Sequence, residues 1–112
     1  NSKILRENVA RLSAENVSYI RQRFPDEFDS VKFWGFHTAG KVFVDFVRER
    51  CSIKRNKSEM TYDLMADTGN TGAVSSLQLI NESVKRKILT DGDFGGIIDY
   101  GWEGADAFLY RV

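Results

Sequence analysis

The chain has 112 residues, of which 42% are apolar, and its 16 basic and 16 acidic side chains leave a net formal charge of +0. That length fits one domain, and the balanced charge gives no electrostatic footprint for nucleic acid or an anionic membrane. No run of about 18 apolar residues exists to span a bilayer, no secretory signal opens the chain, and the single cysteine, Cys51, forms no internal disulfide, so a reducing cytoplasm is the expected setting.

Residues Lys3 to Phe24 read as one amphipathic helix with Leu5, Val9, Leu12, Asn16 and Ile20 at helical spacing, supported by Ile4 and Tyr19. Ser2 is its N-cap candidate. Pro25, the only proline, disfavours helical geometry in Phe24 and should stop the helix there. Pro25 to Ser30 then reads as a polar turn, and the aromatic-rich Val31 to Phe36 as a short strand. Thr38 is placed to cap a second helix that runs to Arg50. The local pattern there fits both periods, and length favours helix. Ser52 to Met60 is a charged loop with room for a helical turn. Tyr62 to Ala66 reads as a short strand or an extended approach to the glycine-flanked run Gly69-Asn70-Thr71-Gly72. Ala73 to Leu89 is helical, with Leu77, Ile80, Val84 and Ile88 on one stripe. Asp91-Gly92-Asp93 is a turn. Phe94 to Tyr100 and Ala105 to Val112 form two closing strands joined by Gly101-Trp102-Glu103-Gly104. The unalternating Phe108-Leu109-Tyr110 suggests that the last strand is central and covered on both faces. The order is α-β-α-(β)-α-β-β, an α/β layer fold with a mixed sheet.

Two features carry chemistry. His37 lies where a strand ends and a helix begins, a frequent position for site residues in α/β sheets. Asn70 sits in a glycine-flanked turn ahead of a helix, where the structural reading is that Asn and Gly favour turns and Thr71 caps the helix. Together they suit one reaction. Decarboxylating condensation generates an enolate from a malonyl thioester, and its developing charge needs donors held in place beforehand. A His Nε2–H and an Asn amide supply two donors without fixed charge. Removing one such donor costs on the order of 3 kcal/mol in the barrier.

The segments Phe33-Trp34-Gly35-Phe36-His37-Thr38-Ala39-Gly40 and Asp67-Thr68-Gly69-Asn70-Thr71-Gly72-Ala73-Val74-Ser75 resemble the C-terminal half of β-ketoacyl-ACP synthase III, whose motifs there are His-Gln-Ala-Asn and Gly-Asn-Thr-Ser-Ala-Ala-Ser. Type III polyketide synthases are similar again, with His-Pro-Gly-Gly and Gly-Asn-Met-Ser-Ser. The resemblance implies a thiolase-like half, helices layered on a mixed five-stranded-type sheet. Such a half normally pairs with a second, similar one in an α-β-α-β-α sandwich. Residues 1–112 would then be the C-terminal thiolase-like domain of a longer condensing enzyme of fatty acid or polyketide biosynthesis. That domain would be inactive alone, and an opening Asn1 in place of Met fits a piece of a longer protein. His37 and Asn70 would be its catalytic pair, acting with a nucleophilic cysteine from the N-terminal half. No cofactor is implied: the substrates would be acyl-CoA or acyl-ACP thioesters. The partners would be the N-terminal half of the same enzyme, acyl carrier protein or CoA thioesters, and a second copy in a homodimer. The sequence departs from the family at Gly72, where serine is usual, and at Trp102 and Glu103, where a Gly-Gly-Gly-Phe-Thr-Trp-Gly run is usual.

Cys51 is not the expected nucleophile. It follows Arg48-Glu49-Arg50 at a helix C-terminus, where the dipole disfavours a thiolate although the arginines oppose that effect. Val84-Lys85-Arg86-Lys87 reads as a solvated basic face near a helix C-terminus, with a docking patch for a phosphopantetheine arm as the sharper alternative. One His and one Cys are too few for a typical zinc site. Two function classes therefore stand: half of a decarboxylating acyltransferase, or a non-catalytic structural partner subunit derived from one, which Trp102 and Glu103 favour.

Overall fold

The structure is a computed structural model and describes residues 2–37, 40–67, 74–101 and 104–112. The side chain of the expected Ser2 cap, the Thr38 cap, Asn70 with its glycine flanks, and the Trp102-Glu103 hairpin tip all lie outside what is described. The elements are α1 (Ser2–Arg23), α2 (Pro25–Asp29), β1 (Val31–Phe36), α3 (Lys41–Arg50), a 3-10 turn (Arg55–Lys57), α4 (Glu59–Asp67), α5 (Ser76–Lys85), β2 (Phe94–Gly101) and β3 (Gly104–Arg111). Among the described residues the strands form one mixed sheet in the order β1-β2-β3, with β1 parallel to β2 and β3 antiparallel to it. The helices pack on the sheet's two faces, so the α/β layer fold is the one expected, with three described strands where the resemblance implied five.

Strand alternation sends side chains to two cores. Trp34, Phe36, Ile98 and Tyr100 face α1 and α3, while Phe33 and Ile97 face Leu79 of α5. Gly95 and Gly96 in the central strand let large rings cross it from either side. A Cβ at Gly96 would lie 2.4 Å from Trp34 Cζ3, and one at Gly95 2.4 Å from Tyr110 Cζ. α5 is tied to β3 by the Ser83 and Tyr110 hydroxyls, 2.7 Å apart.

Several expectations are corrected. The α1 face that packs inward is Val9, Ala10, Ser13, Val17 and Ile20. Asn16 instead donates Nδ2 to the Ala105 carbonyl at 2.6 Å, on the edge strand. Residues 25–29 form a short helix with Pro25 in its first turn, where the missing N–H costs nothing. The extended reading of Tyr62 to Ala66 gives way to α4, which lies along the free edge of β1. There the Thr61 hydroxyl accepts from Phe36 N–H at 3.3 Å, and Lys57 Nζ donates to the Val31 carbonyl at 3.0 Å. β3, expected to be central, is an edge strand with Phe108 39% exposed; β2 is the covered one, its Ile97 and Ile98 fully buried.

α5 ends sooner than its apolar pattern suggests and α3 ends at Arg50 as expected, both by the same device. Lys87 takes a φ of 59° and Ile88 N–H returns to the Ser83 carbonyl at 3.0 Å, ending α5 at Lys85. Ser52 takes a φ of 58° and Ile53 N–H returns to the Arg48 carbonyl at 3.2 Å, ending α3. Both are Schellman-type stops built on non-glycine residues. α5 is capped by Ser75, whose hydroxyl accepts from Gln78 N–H at 3.1 Å.

Candidate active site

β1 and β2 run parallel in the register Phe36 to Ile98, and His37 is the next residue of the first strand. Its backbone N–H donates to the Ile98 carbonyl at 2.9 Å, which continues the ladder by one bond and fixes the histidine at the carboxyl ends of the two parallel strands. Ligands of open α/β sheets collect at such ends. The chain then turns through Gly40, at a φ of 106° that side-chain-bearing residues rarely adopt, into α3.

The His37 side chain is 29% exposed, with Nδ1 3.8 Å from Asp99 Oδ1. Its ring meets Tyr100 edge-on at 5.6 Å between centroids, and Phe43 of α3 stacks on Tyr100 at 5.1 Å. This aromatic packing leaves the imidazole little freedom. The Tyr100 hydroxyl is buried and has no hydrogen-bond partner among the described residues. Burial first, and the neighbouring Asp99 and Tyr62 after it, push this phenol far above its ordinary range, so it is a neutral group at any physiological pH. Asp99 and Tyr100 were not singled out in the sequence. The signal was a lone carboxylate interrupting the apolar Ile97-Ile98-Tyr100 run, legible only once β1 and β2 are paired in parallel.

Of the expected pair, the structure places His37 as described, and Asn70 lies outside the described residues: α4 ends at Asp67 and description resumes at Val74, just ahead of Ser75. Cys51 sits elsewhere, at the end of α3 and 3% exposed. Burial pushes its thiol up to about 12 against the weaker pull of Arg21, so it stays protonated and is a poor nucleophile. Arg86, in the basic stretch, pairs with Glu82 at 3.1 Å and Asp67 at 3.5 Å. That arrangement is a solvated helix end with its own counter-charges. Among the described residues no group of three His, Cys, Asp or Glu side chains is placed to hold a metal ion, and no helix is long and apolar enough to cross a membrane.

No protein-family model matches the chain, and no curated protein matches it in sequence. Among solved structures, 3-oxoacyl-(acyl carrier protein) synthase III, FabH, from Pseudomonas aeruginosa PAO1 is similar at a TM-score of 0.70 and 13% sequence identity. The match covers 99% of this chain and 34% of that one. At that identity the likeness is one of fold: the chain has an α/β architecture similar to part of the thiolase-like fold of that synthase, and spans about a third of its length.

Proposed function

We propose that this chain is the C-terminal, His/Asn-bearing domain of a condensing acyltransferase of the 3-oxoacyl-(acyl carrier protein) synthase III kind. The observation that carries the reading is the placement of His37, the only histidine, at the carboxyl end of β1 in a fold that matches part of such a synthase along 99% of the chain. In this reading the enzyme joins an acyl thioester to a malonyl thioester with loss of CO2. A cysteine from the partner half takes the acyl group as a thioester and the donor's carrier leaves as a thiol. Loss of CO2 from the malonyl thioester puts its electron pair into an enolate, whose oxygen is held by hydrogen bonds from His37 and Asn70. The enolate carbon attacks the acyl-enzyme carbonyl and the cysteine leaves. The substrates are CoA or acyl carrier protein thioesters, no cofactor takes part, and the setting is the cytoplasm.

Two features of the chain support a partner half. Cys51 is too buried to serve as the nucleophile, and the outer stripe of α5 is apolar yet exposed, with Leu77 at 67%, Val84 at 44% and Ile88 just beyond at 38%. The test is intact-mass analysis of the complete protein after incubation with a panel of acyl-CoAs. A covalent acyl adduct on a cysteine outside this chain supports the reading and reveals the starter group. A folded protein that takes no acyl group from any donor overturns it in favour of a structural partner subunit, the reading that Trp102 and Glu103 favour. In that case His37→Ala would leave every activity of the assembly unchanged.

A further inference from the structure

β3 leaves one edge of the sheet open. Asn16 Nδ2 donates to the Ala105 carbonyl, so that carbonyl points away from β2. Successive residues of an antiparallel strand turn their N–H and C=O groups to opposite sides, so those of Ala107 and Leu109 point outward as well. Among the described residues, no side chain other than Asn16 bonds to the backbone of this edge. It lacks the usual guards: β3 pairs with β2 without a bulge, and Ala107-Phe108-Leu109-Tyr110 holds no proline, lysine or other charge. Alongside runs a groove of about 420 Å3 between α1 and β3, and three large rings on its walls, Tyr19, Phe24 and Phe108, are exposed. Open backbone groups beside an apolar groove are the pattern that receives an extended strand.

We propose that this edge takes one further strand, antiparallel to β3 and supplied by the polypeptide directly ahead of α1. The proposal rests on the reading of the chain as a domain of a longer protein. The direction of α1 carries it. Leu12 Cδ1 lies 3.9 Å from where a Cβ on Gly104 would sit, and Asn16 reaches Ala105; both strand positions face the carboxyl end of β2. Phe24 shares the groove with Phe94, at the amino end of β2. α1 thus runs antiparallel to β1 and β2, and a strand leading into it runs parallel to them and antiparallel to β3. Handedness selects the side, because connections between parallel strands are right-handed. The connection from β1 to β2 passes outside β1 through α4 and returns through α5 on one face of the sheet, whereas α1 leads into β1 across the other face. The two share a hand only if the strand ahead of α1 lies on the β3 side, where the open edge is.

Backbone hydrogen exchange tests this in three forms: the chain alone, the chain extended by the residues directly ahead of α1, and the complete protein. The Phe108 N–H, turned toward β2, is the internal control for folding. The Ala107 and Leu109 amides should exchange freely in the chain alone. In the extended form they should slow by on the order of 100-fold or more, with no further slowing in the complete protein. Slowing that appears only in the complete protein assigns the edge to the partner half. Slowing in the chain alone that is lost on dilution assigns it to a second copy. Free exchange in all three forms leaves the edge in water. Each of these overturns the proposal. If Phe108 is unprotected in the chain alone, the test passes to the complete protein with p-benzoylphenylalanine in place of Tyr19, on the wall of the groove. Irradiation should cross-link it to the segment directly ahead of α1; a cross-link elsewhere, or none, overturns the proposal. Neither readout needs turnover. Failure of acylation removes the condensing reading and leaves a protected edge standing, and an open edge does the reverse.

Discussion

At the scale of single residues, two positions are fixed by what surrounds them more than by their own chemistry. Cys51 is a thiol in apolar packing, and attack by a reagent requires both opening and deprotonation, each opposed by burial. Alkylation of the native chain is expected to be slower than that of the chain in denaturant by on the order of 100-fold or more, because it proceeds through rare openings. Equal rates, followed by mass, would place Cys51 at the surface. Gly96 is held by the opposite constraint. Trp34 lies across its Cα, so an added methyl has a ring carbon at 2.4 Å and a fully buried neighbourhood that cannot retreat. Gly96→Ala should lower stability by about 1–3 kcal/mol, the usual range for overpacking. The midpoint of urea denaturation checks this, and an unchanged midpoint would mean that the ring can shift at no cost.

At the scale of elements, α3 and α4 are joined by a polar contact at the rim of the larger core. The Tyr62 hydroxyl bonds to the Asp45 carboxylate and accepts from Arg48 Nε at 3.0 Å, while Lys41 Nζ lies 3.0 Å from Asp45 and Arg48 also reaches the Ile53 carbonyl at 2.8 Å. Burial pulls the Asp45 carboxyl upward, but Tyr62, Lys41 and Arg48 outweigh it and hold the group below its ordinary 3.8. A carboxyl depressed in the folded state contributes stability that is present above 3.8 and lost as pH falls through the lowered folded value. Tyr62→Phe should therefore cost about 1 kcal/mol at neutral pH, and the gap to wild type should narrow on the acid side of the carboxylate range. Paired urea titrations read both. A gap that does not change with pH would show that the hydroxyl acts through packing alone.

The same elements show what the sequence could and could not convey. α1, β1, β2 and β3 were legible because a long helical period and short apolar runs bounded by turn residues leave one reading. The inward face of α1 was displaced by one position, since Asn16 and Val17 are adjacent and only the sheet edge at Ala105 decides which of them turns in. α4 was missed because the short apolar run was weighed alone. The informative signal was the acidic series Glu59, Asp63 and Asp67, one residue per turn and all exposed, which marks the outer face of a helix. β3 read as central because hydrophobicity without alternation normally means cover on both faces. Here the packing comes from Asn16 and its neighbours along one edge and from Tyr110 over Gly95 on one face, which leaves Phe108 out. At the site, His37 was legible from its place after an apolar run, whereas Asp99 lies 62 positions later and becomes its neighbour only through parallel pairing.

At the scale of the whole molecule, α5 has two apolar faces with different duties. Leu79, fully buried, and Ser83 face the sheet, whereas Leu77, Val84 and, just beyond the helix, Ile88 keep 67%, 44% and 38% of their surface exposed. In the proposed reading a partner half covers that outward stripe, and the idea predicts an asymmetry. In the isolated chain, Leu77→Lys combined with Val84→Lys should change the unfolding free energy by no more than about 0.5 kcal/mol, as for surface positions. In the complete protein the same pair should cost about 3 kcal/mol or more, because each side chain that becomes buried on docking contributes about 1.5–3 kcal/mol. Guanidinium unfolding of both forms, with and without the substitutions, reads the difference directly. Equal losses in the two forms would assign the stripe to this chain's own core. Losses in neither would leave the stripe facing water and remove the packing argument for a second half, whatever the chemistry at His37.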